Sequence, residues 1–230
     1  MEGFHHVDLF ATKGAEYLLV LGFLALLVFY WRVLNRPARP AQIPAPVPAA
    51  GGAGWFEVRN GVFYHPGHTW AMPLQGSTVR IGLDDFAQKL LGTPERVSLP
   101  QPGTALGQGE QALNLTIGSR AIPLLSPVDG EVVAVNEEVV RSPELVNRDP
   151  YGQGWLVEVR GPRVKANLKG LLSGRLALSW MEATAEGLRR RISGELGLAM
   201  QDGGVPVSGM AQSLSADHWE EVAADFLLTR

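Results

Sequence analysis

The feature that most constrains the fold of this chain is a long apolar run near its N-terminus. The run, YLLVLGFLALLVFYWRV, covers residues 17–33 and contains one charged residue, Arg32. Its uncharged part is 15 residues long, and Ala15 and the flank through Leu34 extend it. A transmembrane helix needs about 20 apolar residues, and polar side chains at its ends can snorkel to the interface. The run therefore predicts a single transmembrane helix.

Aromatic and basic side chains lie at the two ends of this run. Tyr17 is at one end and Tyr30 and Trp31 are at the other, and such residues are enriched at membrane interfaces. Arg32 and Arg36 follow directly. We therefore expect these five residues to anchor the helix in the bilayer.

The distribution of charge around the run predicts its orientation. The first 14 residues hold Lys13 against Glu2 and Asp8, whereas three arginines lie at the C-terminal end of the run or shortly after it. A cleavable signal peptide and a buried core helix are the alternatives to a membrane anchor. A signal peptide carries its positive charge before the apolar stretch, which is not the pattern here. By the positive-inside rule, the N-terminus is predicted to lie outside and the rest of the chain in the cytoplasm. This predicts a single-pass protein of the inner, cytoplasmic membrane.

Composition divides the chain into four predicted regions. Residues 1–34 hold the short outer tail and the transmembrane helix, and residues 35–54 form a tether rich in Pro, Ala and Gly. Residues 55–162 alternate short β-rich runs with turn signals such as Asn60-Gly61, a pattern typical of an antiparallel β fold. Residues 163–230 show helical periodicity and are predicted to form a helical C-terminal extension.

The C-terminal extension is the predicted docking element for a protein partner. Leu176, Trp180, Leu188 and Ile192 recur at helical spacing, with charged residues on the opposite face. A last helix follows near the C-terminus. The candidate docking residues in these helices are aromatic or basic: Trp180, Arg189, Arg190, Trp219 and Phe226.

Composition also excludes several classes of function. The net charge is −3, with no basic excess to neutralise nucleic-acid phosphates. The absence of cysteine excludes disulfides, thiolate catalysis and cysteine-ligated zinc or iron–sulfur sites. The motifs of serine hydrolases, zinc proteases and phosphate-binding loops are missing. No catalytic residue, metal ligand or small-molecule substrate is therefore predicted, and we do not expect an enzyme.

Five motifs in the central region resemble the H protein of the glycine cleavage system. They are HPGHTW from His65, GLDDFAQKLLG from Gly82, VSLPQPGTAL from Val97, SPVDGEVVAVNEEV from Ser126 and SPELVNRDPYGQGW from Ser142. The motifs occur in the family's order and at its spacing over residues 64–159. The resemblance implies a mainly β fold of the lipoyl type, a barrel-sandwich hybrid, with one short helix inserted.

The same resemblance implies that this chain has lost the family's cargo site. In the family, a lysine at a hairpin tip, within Glu-Ser-x-Lys, carries lipoate. Gap-free alignment places that lysine at Ser119 and the acidic residue at Thr116. Gly118 can still make the tight turn because glycine accepts a positive φ, whereas Arg120 stays protonated and is not an acylation target. No cofactor is therefore expected, since the chain's four lysines lie elsewhere: Lys13, Lys89, Lys165 and Lys169.

These observations predict a non-catalytic, membrane-anchored subunit that scaffolds a membrane-associated complex without carrying lipoate. The predicted partners are the bilayer and other subunits of that complex, and a redox or respiratory assembly best explains the anchor. Two alternatives remain. Efflux-type adaptors join one N-terminal helix to a lipoyl-like domain, but they split that domain around a coiled coil, for which residues 117–124 leave no room. A genuine lipoyl carrier would need the missing lysine.

Overall fold

The structure is a computed structural model that describes residues 9–34, 54–196, 207–215 and 218–229. The chain divides into two compact units, Met1–Ile43 and Pro44–Arg230. Residues 1–8 of the predicted outer tail, Arg36 and nearly all of the predicted tether lie outside the described residues.

The first unit contains one long helix, α1, at Leu9–Leu34. Its 26 residues correspond to a length of about 39 Å at 1.5 Å per residue. Tyr17, Tyr30 and Trp31 are all more than 60% exposed. A search of the described residues found no helix with the length and hydropathy of a membrane span. The anchor and its orientation stay predictions.

The second unit is built on two antiparallel sheets. The larger sheet has the strand order β1-β2-β3-β9-β8-β5 and the smaller one has the order β4-β6-β7. The elements, in chain order, are β1 (Phe63–Tyr64), β2 (Thr69–Pro73), β3 (Thr78–Leu83), α2 (Asp85–Leu91), β4 (Arg96–Ser98), β5 (Ala105–Leu106), β6 (Gln111–Ile117), β7 (Arg120–Leu125), β8 (Gly130–Val135), α3 (Glu137–Arg141), α4 (Leu145–Arg148) and β9 (Val157–Arg160).

Four helices follow the strands and complete the same core. They are α5 (Val164–Lys169), α6 (Gly174–Leu196), α7 (Met210–Leu214) and α8 (Trp219–Leu227). Leu188 and Trp219 from these helices belong to one hydrophobic cluster with Leu113 of β6 and Phe86 of α2. The predicted mainly β fold with C-terminal helices is therefore confirmed, and the helices pack on the sheets.

Alternation along β6 shows how the sequence directs the smaller sheet. Leu113, Leu115 and Ile117 are at most 6% exposed, whereas Asn114 between them is exposed. Successive side chains of a strand point to opposite faces, so this pattern buries one face and leaves the other polar. Because the register of β6 also fixes the position of its turn, the buried leucines set the geometry of the hairpin tip.

The predicted apolar stripe of α6 was wrong in one position. Leu176 is 63% exposed, and the buried residue in that turn is Ala177. Because α6 begins at Gly174, Leu176 falls outside the face that Ala177 shares with Met181 and Leu188. Leu176 is therefore an exposed apolar residue of the first turn.

A substitution at Gly82 tests the packing of the larger sheet. Gly82 lies directly opposite Trp70, and a Cβ atom there would stand 2.6 Å from Cε2 of the indole. Trp70 is fully buried and its Nε1 donates to the Leu83 carbonyl oxygen at 2.9 Å, so the ring cannot move aside. We expect Gly82→Ala to lower the free energy of unfolding by about 1–3 kcal/mol in urea titrations. The control Gly170→Ala, where the nearest atom is 3.4 Å away, should leave stability unchanged or raise it by up to about 1 kcal/mol.

Candidate functional site

The candidate site is the tip of the hairpin formed by β6 and β7. Ile117 pairs with Arg120, which leaves Gly118 and Ser119 as a two-residue turn. Gly118 has φ of 58°, the left-handed conformation that a type II′ turn requires at this position. Ser119 is exposed at the tip. The turn thus lies where the sequence predicts it, and its outermost side chain is a neutral hydroxyl.

The side chains at this tip do not offer the amine that forms an amide with a carboxylic acid. Ser119 offers an alcohol, and the Nη2 atom of Arg120 forms an ion pair with Oε1 of Glu220 at 3.1 Å. A guanidinium stays protonated and cannot act as the nucleophile that forms an amide. Thr116, in the position of the family's acidic residue, pairs with Ala121 across the hairpin and with Arg96 of β4.

Helix α8 lies along one side of the hairpin. Near the tip, Arg120 contacts Glu220 at the start of α8, and at the base the Nε2 atom of Gln111 donates to the Thr229 carbonyl oxygen at 3.3 Å. Strand β7 is an edge of the smaller sheet. An exposed sheet edge invites pairing with other chains, and a covering helix prevents that. The C-terminal extension therefore protects the flank of the hairpin.

Two cavities remain between the hairpin and the C-terminal helices. The first, of about 340 Å³, lies at the turn and is lined in part by Ser119, Gln212 and Trp219. The second, of about 480 Å³, lies between β7 and α8 and is lined in part by Pro123 and Ala224. α8 thus lies beside the tip without enclosing Ser119.

The three aromatic residues of the predicted docking set pack within this chain. The ring of Trp180 stacks on His68 with centroids 4.6 Å apart, and the ring of Phe226 lies 5.2 Å from that of Phe86. Trp219 is 8% exposed. These side chains hold the C-terminal helices on the β domain, and their rings do not form an open surface.

The two basic residues of the docking set are more accessible. The guanidinium of Arg189 lies 4.1 Å from the centroid of the Trp55 ring, and its side chain is 43% exposed. It also lies 3.5 Å from a carboxylate oxygen of Glu186. Arg190 is exposed. Docking through Arg189 and Arg190 stays a prediction.

A buried His–Asp pair lies in the core, and the sequence did not predict it. The Nδ1 atom of His68 lies 2.7 Å from Oδ2 of Asp84, and the two residues are 2% and 0% exposed. Asp84 also caps α2, because its Oδ1 atom accepts from the Ala87 N–H at 2.8 Å. The His68 ring stacks on Phe86 with centroids 4.2 Å apart.

This pair has a structural role. A catalytic His–carboxylate pair also needs a nucleophile in hydrogen-bond reach, and among the described residues no hydroxyl contacts the His68 ring. Within the same residues, no group of three or more His, Asp and Glu side chains could hold a metal ion. The one signal in the sequence was the Asp84-Asp85 pair in the motif from Gly82, because aspartate is a residue type that caps helices, but the pair does not indicate a histidine partner.

A neighbouring histidine predicts a pH dependence of stability. Burial, and then the nearby His68, hold the pKa of His65 below its ordinary value, and the His65 Nδ1 atom accepts from the Gly67 N–H at 3.0 Å. The unfolded chain therefore binds this proton more readily than the folded chain, so stability should fall as pH drops below the ordinary pKa of 6.5. Urea titrations at pH 7.5 and at about pH 5.5 should show this loss, and His65→Asn should reduce it. An equal loss in the variant would contradict the assignment to His65.

The two antiparallel sheets and the exposed hairpin tip define a lipoyl-type domain. The family model for the glycine cleavage H-protein matches residues 62–183, which is more than half of the chain. The chain belongs to the glycine cleavage H-protein family.

Individual relatives show the same relationship. The probable glycine cleavage system H protein of Pyrococcus horikoshii is 36% identical over 119 residues, which are 52% of this chain and 88% of that protein. The glycine cleavage system H protein of Thermus thermophilus is 41% identical over 110 residues, or 48% of this chain and 84% of that protein. A crystal structure of the H protein from Mycobacterium marinum covers 46% of this chain and 87% of its own, with 29% identity and a TM-score of 0.42. The family model and the two sequence relatives confirm the resemblance seen in the sequence motifs.

Proposed function

We propose that this chain is a non-catalytic, membrane-anchored H-protein-like subunit that docks on other subunits of a membrane-associated complex and carries no lipoate. The observation that carries the proposal is the exposed two-residue turn with Ser119, at the position that the sequence resemblance assigns to the family's lysine. The hairpin presents a hydroxyl at its tip, and attachment of lipoate requires an amine. A carrier-type hairpin without an amine for lipoate attachment favours a structural role.

Two features support a membrane location. The large apolar side chains between Tyr17 and Trp31 are 50–75% exposed within the first unit. A helix that is apolar on all sides is normally buried in a membrane or in a large protein core. The excess of arginine at the C-terminal end of the run supports a cytoplasmic location for the second unit.

The C-terminal extension supports docking over carriage. Helix α8 runs beside the hairpin, and the contact between Phe226 of α8 and Phe86 of α2 holds the C-terminal helices on the β domain. A carrier needs its tip to enter the sites of other enzymes, and a helix along one flank narrows that approach. We propose a redox or electron-transfer assembly as the host.

An affinity purification of the full-length chain in gentle detergent tests the proposal. We expect other membrane-complex subunits in stoichiometric amounts and a chain of unmodified mass. The variant Arg189→Glu/Arg190→Glu should weaken this association, whereas the control Arg141→Glu/Arg96→Glu removes the same charge from other exposed positions and should retain it. A chain without partners would contradict the subunit role, and a lipoate-sized mass increase would restore the carrier.

A further inference from the structure

A short part of the chain concentrates basic residues. The whole sequence has 23 acidic and 20 basic residues, yet residues 159–181 contain five basic residues and no acidic one. All five are exposed, and we call them the basic face: Arg160, Arg163, Lys165, Lys169 and Arg175. They belong to the end of β9, to α5 and to the first turn of α6.

The basic face is held in a fixed position. The Nδ2 atom of Asn167 in α5 donates to Oδ2 of Asp129 at 3.0 Å and to Oε1 of Gln108 at 2.9 Å, and the Asp129 N–H donates back to Oδ1 of Asn167 at 3.2 Å. Tyr64 and Leu172 exchange two backbone hydrogen bonds of 2.8 and 2.9 Å. The segment that carries the charges is therefore tied to the β domain at two points.

Two acidic groups face this surface and leave most of its charge uncompensated. Asp129 lies 3.3 Å from Nε of Arg163, and Glu131 is the strand neighbour of Arg160. Within the described part of the chain, no ion pair engages the remaining three members: Lys165, Lys169 and Arg175.

Exposed apolar side chains adjoin these charges. Leu176 and Leu178, which follow Arg175 in α6, are 63% and 42% exposed. Basic residues beside exposed leucines are typical of surfaces that lie on anionic membranes, where the charges meet phosphates and the leucines enter the headgroup region. An acidic protein partner would use the charges and leave the leucines unexplained.

We propose that the basic face lies on the surface of an anionic bilayer, with Leu176 and Leu178 entering the headgroup region. This inference rests on the proposed membrane anchor. The 20 residues at positions 35–54 could span up to about 60 Å if extended, so they allow the domain to reach the bilayer. Tethering also raises the effective concentration, so a weak contact suffices.

The absence of cysteine allows a direct test with the full-length chain. Ser173→Cys, between Lys169 and Arg175, carries a donor fluorophore in lipid nanodiscs that contain acceptor-labelled headgroups. Ser119→Cys, at the hairpin tip, is the second labelling position. Strand β6 has seven residues, so the tip lies about 20 Å from the hairpin base near α5. We expect efficient transfer from position 173 in phosphatidylcholine discs containing phosphatidylglycerol, and less in pure phosphatidylcholine or in high salt.

Substitutions identify the residues responsible. Lys165→Gln/Lys169→Gln/Arg175→Gln should weaken the surface contact by about 100-fold, since each basic residue contributes a factor of about five. The control Arg96→Gln/Arg141→Gln/Arg148→Gln removes three charges elsewhere and should leave transfer from position 173 unchanged. Leu176→Gln/Leu178→Gln should lower transfer while keeping its salt dependence.

The outcomes separate this inference from the proposed anchor. If the efficiency of transfer from position 173 changes neither with lipid charge nor with the triple substitution, the membrane contact is overturned and the anchor is unaffected. A chain that fails to enter nanodiscs would contradict the anchor, and flotation with phosphatidylglycerol vesicles would then decide whether the basic face binds lipid by itself. Binding only to an acidic protein, with no response to lipid, would assign the face to that partner and overturn the inference.

Discussion

The double substitution Thr116→Glu/Ser119→Lys is expected to turn an unlipoylated chain into a lipoylated one. The hairpin already presents position 119 at an exposed two-residue turn, so the change supplies the amine and the acidic residue that the family's motif contains. A glutamate at position 116 would lie opposite Arg96, an arrangement that favours opposite charges across strands. Intact mass after incubation with a lipoate–protein ligase, lipoate and ATP should show one added lipoyl group.

Two controls accompany this measurement. The native chain should keep its mass under the same conditions. Arg120→Lys places an amine one position along, where Glu220 is close enough to form an ion pair, and should remain unmodified. Adding Glu220→Ala to the double variant removes the ion pair at the start of α8 and should raise the rate of modification. If neither version of the double variant gains a lipoyl group, the hairpin has not kept a carrier's geometry.

Asp84→Ala is expected to cause the largest loss of stability among these substitutions. It removes the cap of α2, a loss of about 1 kcal/mol, and leaves the buried His68 without its partner, a further loss of about 1–3 kcal/mol. A total near 3 kcal/mol is a large share of the roughly 5–15 kcal/mol that stabilises a typical domain. Urea unfolding of the full chain in detergent, followed by tryptophan fluorescence, measures it.

Asp84→Asn is the matched control for this prediction. Asparagine caps helices as well as aspartate does, and while its Oδ1 atom accepts from the Ala87 N–H, its Nδ2 atom can donate to Nδ1 of a neutral His68. We expect this variant to lose less than half as much stability as Asp84→Ala. Equal losses in the two variants would mean that the carboxylate charge, and not the hydrogen bonds, stabilises the pair.

The central fold could be predicted because its determinants are local in the sequence. The alternation of Leu113, Leu115 and Ile117 defines one strand, and the glycine at position 118 defines the turn that follows. Helix α2 likewise begins after Asp84, a residue type that caps helices, and ends before Gly92, a residue type that terminates them. Each of these features depends on residues within one turn or one strand.

The packing of the C-terminal helices could not be predicted because it depends on contacts between distant residues. Arg120 and Glu220 are separated by 100 positions in the sequence, and nothing local to either residue indicates the other. The apolar periodicity of the extension showed that one face would be buried, but not whether the β domain or a partner would cover it. In the structure the β domain covers the apolar face of the C-terminal helices, and Trp180 and Phe226 make the contacts with it.

The hairpin tip with Ser119 and the helix that covers the edge of β7 are consistent with one another. Under the proposed function, the hairpin has no need to enter another enzyme, and a helix can occupy the edge of β7 without functional cost. The edge is protected and the β domain gains apolar contacts from Trp219 and Leu227. Under this account, the carrier fold has become a platform for docking.

The intact mass of the full-length chain, purified from membranes of a cell that actively lipoylates its own proteins, tests this account most directly. A lipoylated H protein from the same cells provides the positive control. The account predicts a chain of unmodified mass, recovered with the membrane, beside a control that carries its lipoyl group. A chain that carries a lipoyl group would contradict it, because some residue of this sequence would then perform the attachment chemistry that Ser119 cannot.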